Sequence, residues 1–211
     1  AWNDNTTTAQ YFGADYGGGA SFTNSATGTY TKSGSATTTF HVPLTNAGAL
    51  VLTAGTISLN GEGSFTGAGT ASAASGTSLV FNSNYTLPDA SKLTGLGTYR
   101  FTQTLTLTGS VNVSGFKLTG GTLAGSQTFN STVPWTTTSL NTTGTTTIGS
   151  AGVLTISGPN AHDYLGRTIV NHGTVNWGDG PIRSGNGGSI TNNNAWNDNT
   201  TTAQYFGADY G

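Results

Sequence analysis

The chain has no cysteine and no methionine among its 211 residues, and only 7% of its residues are charged. Without cysteine, neither a disulfide framework nor a thiolate metal site can form. Residues 1–194 hold six acids and six bases, so this stretch has no formal net charge and lacks the basic footprint that nucleic acid requires. No apolar run reaches the roughly 18 residues that a membrane span needs, so no span is expected.

Strong helix formers are also scarce, since lysine and arginine together number six. Thr occurs 42 times and Gly 33 times. Thr is β-branched and favours the pleated surface of a strand over a helix. Hydrophobic residues make up 34% of the chain and recur in short alternating runs, which is not typical of a disordered segment. The composition therefore predicts an all-β protein.

The first seventeen residues, AWNDNTTTAQYFGADYG, return unchanged as residues 195–211. An unbroken match at an offset of 194 residues predicts a tandem repeat. We expect residues 1–194 to form one repeat unit and residues 195–211 to begin the next identical unit. The absence of methionine is typical of a segment cut from a longer chain.

A shorter period lies inside this unit. Gly-Thr pairs begin at Gly55, Gly76, Gly97, Gly121 and Gly144, so they recur at fairly even intervals of a little over twenty positions. An apolar-x-Asn motif recurs as FTN at 22–24, LTN at 44–46, IVN at 169–171 and ITN at 190–192. Dividing 194 by nine gives about 21.6 residues, which predicts a whole number of short periods in each unit.

Alternating strands that end at Gly or Asn, repeated every two dozen residues, are typical of a solenoid. One coil cannot bury its own apolar face, but stacked coils share a continuous core. We predict a right-handed parallel β-helix with ~22 residues per coil and about nine coils per unit. Stacking at ~4.8 Å per coil would advance the chain by roughly 43 Å per unit.

Two segments carry a resemblance to a known class of protein. Leu44–Gly67 (LTNAGALVLTAGTISLNGEGSFTG) and Gly149–Trp177 (GSAGVLTISGPNAHDYLGRTIVNHGTVNW) resemble the repeats of very large bacterial secreted and cell-surface β-helix proteins, which are adhesin-like or similar to autotransporter passengers. The resemblance covers most of the chain and is one of repeat style. It implies a parallel β-helix that is located outside the cell or on its surface.

One segment interrupts the regular spacing. Thr6 to Ala20 carries roughly four extra residues relative to the period, and we expect it to form a protruding loop. It contains Tyr11, Phe12, Asp15 and Tyr16, which are the candidate residues for contact with a neighbouring filament or a ligand. Local packing of these rings over the coil is the competing interpretation.

The densest polar cluster comprises His162, Asp163, Arg167, His172, Asp179 and Arg183. Polysaccharide-active β-helix enzymes place carboxylates and bases in a cleft, so Asp163 and Asp179 are the candidate catalytic groups. The favoured interpretation is a solvated turn, with the histidines on the surface. Calcium is a weaker possibility for the Asp-containing glycine-rich loops, but the GGxGxD repeat pattern is missing. We expect no cofactor and no metal.

Aromatic residues offer a carbohydrate-binding hypothesis, because Trp2, Tyr30, Tyr99, Trp135 and Trp177 would stack on sugars if they were exposed. Trp177 and Tyr30 sit on alternating apolar strands, where such residues are more often part of the core or plugs at the end of a coil. The sequence therefore favours a non-catalytic structural repeat of an extracellular fibre or stalk that associates with itself end to end and laterally. An adhesin that binds carbohydrate or a partner cell is the alternative, and a polysaccharide-active enzyme is the third.

Overall fold

The computed structural model describes residues 1–210, which form short β-strands and a single 3₁₀ turn, Ala90–Lys92. The strands of the first half are β1 Trp2–Asp4, β2 Gln10–Phe12, β3 Phe22–Asn24, β4 Thr29–Lys32, β5 Thr37–Phe40, β6 Leu44–Asn46, β7 Ala49–Leu52, β8 Thr56–Leu59, β9 Gly63–Phe65, β10 Thr70–Ala73, β11 Ser78–Phe81, β12 Tyr85–Leu87, β13 Leu93–Gly95, β14 Thr98–Phe101 and β15 Thr104–Leu107. Those of the second half are β16 Gly109–Val111, β17 Thr122–Ala124, β18 Gln127–Phe129, β19 Thr132–Trp135, β20 Gly144–Ile148, β21 Val153–Ile156, β22 His162–Leu165, β23 Arg167–Asn171, β24 Thr174–Trp177, β25 Ile182–Gly185, β26 Ser189–Asn192, β27 Ala195–Asp198 and β28 Phe206–Tyr210.

Each strand pairs in parallel with the equivalent strand one coil away, and the strands form six sheets. In the first half the sheets run β1-β4-β7-β10-β13, β2-β5-β8-β11-β14 and β3-β6-β9-β12-β15-β17. In the second half they run β16-β18-β20-β23-β26, β19-β21-β24-β27 and β22-β25-β28. The chain is therefore an all-β parallel solenoid of about nine coils, as the sequence predicted.

Isolated contacts join the two sets of sheets into three continuous faces. The first face passes through the bond from the Ala90 amide to the Thr108 carbonyl, which links the 3₁₀ turn to the start of β16. The second face passes through the parallel bridges Tyr99–Phe116 and Leu118–Trp135. The third face passes through the bridge Thr122–Ser139 and the bond from the Leu140 amide to the Asp163 carbonyl. Each coil visits the three faces in this order.

Side chains alternate inward and outward along the strands, so one residue in two enters a single core that runs the length of the solenoid. The apolar-x-Asn motifs end strands of this core. Asn46 and Asn171 are fully buried there, and they join neighbouring coils through side-chain amides. Tyr30 and Trp177 are buried as expected, Tyr99 and Trp135 are buried as well, and Trp2 is half exposed.

Coil length varies more than the glycine spacing predicted. In the first coil Asp4 pairs with Lys32, a separation of 28 residues along the chain. In the middle of the solenoid Gly109 pairs with Gln127, and the same register sets Asn112 and Asn130 only 18 residues apart. Because the middle coils are short, the Gly-Thr pairs do not stay on one face: Thr98 lies in β14 on the second face, whereas Thr122 lies in β17 on the third.

The unit also does not contain a whole number of coils. Strand β1 belongs to the first face, where it pairs with β4, but its identical copy β27 belongs to the second face, where it pairs with β24. The offset between the two copies therefore spans nine and one third coils, which corresponds to an average of ~21 residues per coil. The expectation that one unit contains a whole number of coils is wrong. The average coil is shorter than the length of about 21.6 residues obtained by dividing 194 by nine.

Candidate interaction site: the repeated segment

Residues 1–17, here called the first copy, lie beneath the coil formed by β4 and β5 and are held there by a buried carboxylate. Asp4 projects from β1 into the core, where Lys32 Nζ lies 3.3 Å from its Oδ1 atom. The hydroxyls of Tyr30 and Thr38 donate hydrogen bonds to Asp4 Oδ2 at 2.7 Å and 2.5 Å. The Asp4 and Lys32 side chains are 2% and 0% exposed. This ion pair links the first copy to the second coil.

The protonation of Asp4 reflects two opposed effects. Burial disfavours the charged form, but hydrogen bonds from Thr38, Tyr30 and Thr6 outweigh burial and hold the pKa of Asp4 well below its usual range. Asp4 is therefore ionised at neutral pH, as the buried ammonium of Lys32 requires.

An aromatic cluster surrounds this ion pair. The Phe12 ring stacks on Phe40 with centroids 4.6 Å apart, and Phe22 meets both Phe40 and Tyr30 edge to face. Trp2 contacts Phe12 and Phe22 edge to face at 5.7 Å and 6.2 Å, yet 51% of its surface remains exposed. Trp2 therefore leaves apolar ring surface exposed to solvent on the side of the cluster that faces away from the second coil.

The four candidate contact residues of the loop do not share one environment. Phe12 packs inward and is part of the aromatic cluster. Tyr11 is mostly exposed, and its hydroxyl donates to Asp15 Oδ2 at 2.7 Å, which raises the pKa of Tyr11. Tyr16 is fully exposed. The contact hypothesis therefore stays a prediction that concerns Tyr11, Asp15 and Tyr16, whereas Phe12 has a packing role.

Residues 195–210, the described part of the second copy, adopt the same local geometry at the opposite end of the solenoid. The carboxylate of Asp198 accepts from the Thr200 amide at 3.1 Å and from its hydroxyl at 2.7 Å. The equivalent bonds from Thr6 to Asp4 have the same lengths. The hydroxyl of Tyr205 donates to Asp209 at 2.7 Å, as Tyr11 does to Asp15. The identical sequence therefore repeats these side-chain contacts in both places, although the second strand covers Gln10–Phe12 in the first copy and Phe206–Tyr210 in the second.

The two copies differ in which side is covered. In the second copy, β28 extends to Tyr210 and pairs with β25 of the preceding coil. The Tyr210 hydroxyl donates to Asp163 at 3.3 Å, and the Arg183 guanidinium lies 5.2 Å from the centre of the Tyr210 ring. The equivalent residue of the first copy, Tyr16, has no such coil beneath it and is exposed. A preceding coil therefore converts the protruding loop into a docked strand.

The two candidate catalytic carboxylates lie under this docked strand. Arg183 holds Asp163 through two parallel hydrogen bonds, of 2.7 Å from Nε and 2.9 Å from Nη2. Asp179 accepts from the Gly180 amide at 2.8 Å and from the Gln204 side chain at 2.9 Å. Asp163 contacts Tyr210 and Asp179 contacts Gln204, so both carboxylates take part in the joint between the second copy and the coils that precede it.

Arg167 is not on a solvated turn, as the polar cluster had suggested, but fully buried. Its five N–H groups donate to five oxygens at 2.9–3.3 Å, namely the carbonyls of Leu123, Gly125 and Leu140 and the hydroxyls of Thr142 and Thr146. Burial lowers the pKa of Arg167 to about 10, so the side chain is charged at neutral pH. The guanidinium ties together strands of successive coils.

His162 is also buried rather than on the surface, which corrects the second sequence-based assignment in this cluster. Its ring meets Trp135 edge to face at 5.1 Å. Burial lowers the pKa of His162 below its ordinary value of 6.5. The folded state therefore favours the neutral imidazole.

Acidification is expected to weaken the fold through His162. The pKa is lower in the folded state, so the unfolded chain binds the proton more readily and stability falls as pH drops below 6.5. The slope should reach at most about 1.4 kcal/mol per pH unit. Urea unfolding between pH 8 and pH 5 measures it. The H162F variant should lose this slope, and the exposed-site control H172F should keep it; an unchanged slope in H162F would contradict the assignment.

Sequence reasoning did not single out Lys32, although a signal for it was present. Tyr30 was assigned to an alternating strand as a core residue, and Lys32 follows it by two positions. Strand alternation therefore pointed the lysine inward. Its partner Asp4 is far away along the chain, and only the coil register brings the two together.

Within residues 1–210, no group of three or more His, Cys, Asp or Glu side chains is arranged to hold a metal ion. In the same residues, no helix has the length and apolar character needed to cross a membrane. The chain matches no known family model, no curated protein and no solved structure.

Proposed function

We propose that this chain is a repeating structural segment of an extracellular fibre or stalk, built from tandem solenoid units that stack into a stiff rod. The observation that carries the proposal is the pair of identical copies. The first copy shows how the segment supports the coil above it, through Asp4 and Lys32. The second shows how the same segment rests on the coil below it, through the pairing of β28 with β25 and the contact between Tyr210 and Arg183.

Combining both sets of contacts places the segment between two units, where its two strands supply two of the three faces of a coil. The second face of one unit then continues as the first face of the next, because β27 takes the place of β1. Successive units are related by one third of a turn about the fibre axis. With 9⅓ coils at ~4.8 Å each, one unit advances on the order of 45 Å, and the same face returns after three units, on the order of 135 Å.

The outer surface suits a fibre that packs side by side. On the third face, a column of neutral hydroxyl side chains runs along the axis: Thr23, Thr45, Ser64, Thr86 and Thr106. Residues 1–194 have no formal net charge, so long arrays would not repel one another electrostatically. Location outside the cell rests on the resemblance of the repeats to those of bacterial secreted and cell-surface β-helix proteins.

Electron microscopy of a chain with three tandem units tests the proposal. We expect rods whose length grows by roughly 45 Å per unit, with a layer line near ~4.8 Å. The docked strand equivalent to β28 should lie on a different face at each successive junction.

A matched control replaces the seventeen-residue segment at each junction with a Gly/Ser linker of the same length. Because such a linker is a flexible coil, the rods should become strings of separate particles. Compact particles from the unaltered three-unit chain, or rods of equal stiffness from the linker control, would refute a continuous solenoid.

A further inference from the structure

We propose that the second copy of one molecule can replace the first copy in another molecule, so that two separate chains join head to tail without a covalent link. The inference rests on the proposed fibre, because it uses the same joint. The partner is a second copy of this chain. Exchange of an identical element between protomers is a general route to assembly.

The first argument is charge complementarity at the joint. The exposed strand end of the second copy carries Asp198, whose local geometry matches that of Asp4. In the first copy, that carboxylate neutralises the fully buried Lys32. When the second copy of another molecule occupies the same position, Asp198 supplies the carboxylate to Lys32. A segment of different sequence would leave a buried ammonium unpaired, at high cost.

The second argument is the asparagine ladder, whose two ends are complementary. Asn171 donates from Nδ2 to Asn192 Oδ1 at 2.7 Å, and Asn24 donates likewise to Asn46 Oδ1 at 2.8 Å. Among residues 1–210, the Nδ2 atom of Asn192 donates no hydrogen bond and the Oδ1 atom of Asn24 accepts none. Head-to-tail stacking places this donor opposite this acceptor.

The third argument is apolar. At the lower end, Trp2 is 51% exposed, and at the upper end its counterpart segment leaves Phe206 52% exposed. Phe12 of the first copy packs on Phe40 in the coil above it, whereas the equivalent Phe206 of the second copy packs on Tyr164 in the coils below it. A shared coil would cover both sides at once and remove both exposed apolar ends.

The energetic balance favours exchange in equilibrium but makes it slow. The incoming segment re-forms the contacts that the displaced first copy loses, because the two sequences are identical. The joint adds strand pairing between β26 and β3, and the displaced residues 1–17 regain conformational freedom. Loss of translational freedom opposes these gains, so assembly depends on concentration. The resident segment must open first, which sets the rate.

The joint has a defined register. Asn171 pairs with Asn192, and Asn24 pairs with Asn46, so Asn192 of one molecule should lie beside Asn24 of the next. Thr191 then lies beside Thr23, and both side chains are exposed. In a single chain these threonines are at opposite ends of the solenoid, so any bond between them is intermolecular.

Disulfide trapping in the full chain tests this register, because the natural sequence has no cysteine. The T23C/T191C variant should give a ladder of head-to-tail oligomers after mild oxidation, since adjacent strands bring the two Cα atoms within disulfide range. In the matched control, T23C/V170C, the second cysteine lies one coil lower on the same column. Its Cα would be roughly 10 Å from that of residue 23, so it should give no ladder.

Two single substitutions at equivalent positions test the exchange itself, with oligomer content measured by sedimentation velocity. The D4A variant weakens only the resident first copy and should raise the association constant by a factor on the order of 100. The D198A variant weakens only the incoming segment and should lower association by a similar factor. In the D4A/D198A double variant the two effects should cancel.

Equal behaviour of D4A and D198A would overturn the exchange, and so would equal ladders from the two cysteine pairs. Absence of a ladder from T23C/T191C would overturn it as well. These results leave the covalent fibre untouched if three-unit chains still form rods. If those chains also form separate particles, the proposed function fails together with the exchange.

Discussion

Replacing Arg167 with alanine is expected to lower the free energy of unfolding by about 4 kcal/mol. The guanidinium is fully buried, and all five of its N–H groups have acceptors. Alanine leaves a large cavity and removes the donors from the hydroxyls of Thr142 and Thr146 and from three carbonyls. Arg167 lies in β23, the last strand but one of its sheet, and its acceptors lie in earlier coils, so its removal weakens the attachment of the last coils.

Urea unfolding followed by circular dichroism measures this effect. The R167K variant keeps the charge but has three donors instead of five, and it should lose about 2 kcal/mol. The matched control is R183A, because Arg183 is partly exposed in its ion pair with Asp163. That variant should lose no more than about 1 kcal/mol. Equal losses in R167A and R183A would show that the buried guanidinium has no special structural role.

The K32M variant is expected to lose about 3 kcal/mol, because it leaves the Asp4 carboxylate buried without its cation. Methionine fills a similar volume, so the loss reports on charge rather than on a cavity. The matched control is K92M, since Lys92 and its partner Asp89 are 41% and 45% exposed and 3.9 Å apart. That exposed pair should contribute less than about 0.5 kcal/mol.

Hydrogen exchange of the β1 and β4 amides shows where K32M loses stability. The substitution should increase exchange in the first coil and leave the amides of the central coils protected. The pH dependence provides a second check. The pKa of Asp4 is lowered on folding, so its contribution is complete above the ordinary value of 3.8 and is lost as pH falls below it. The difference in the free energy of unfolding between wild type and K32M should therefore be constant near neutral pH. A difference that disappears at neutral pH would contradict the buried pair.

Several elements could be predicted from local pattern alone. The apolar-x-Asn motifs at 22–24, 44–46, 169–171 and 190–192 end β3, β6, β23 and β26. These predictions held because strand alternation and Asn-containing turns are local properties of a few residues.

Burial of charged residues was harder to predict. Arg167 and His162 fell in a polar stretch that suggested a solvated turn, yet both are fully buried. The acceptors of Arg167 come from residues up to 44 positions earlier in the chain. No local pattern contains that information, since it depends on which strands the coils place side by side.

The sequence by itself determined that the protein is a β-solenoid with coils a little over twenty residues long and that a segment of seventeen residues recurs in it. Periodicity and composition are properties of the chain, and stacking is the only way for such coils to bury their apolar faces. Only the tertiary structure decided that the recurrence spans nine and one third coils and turns β27 onto another face than β1. That fraction follows from unequal coil lengths, long at β1 and short at β16, which only the register between coils reveals. It also decided that Tyr16 is exposed where Tyr210 is docked, because the preceding coil lies beneath only one of them.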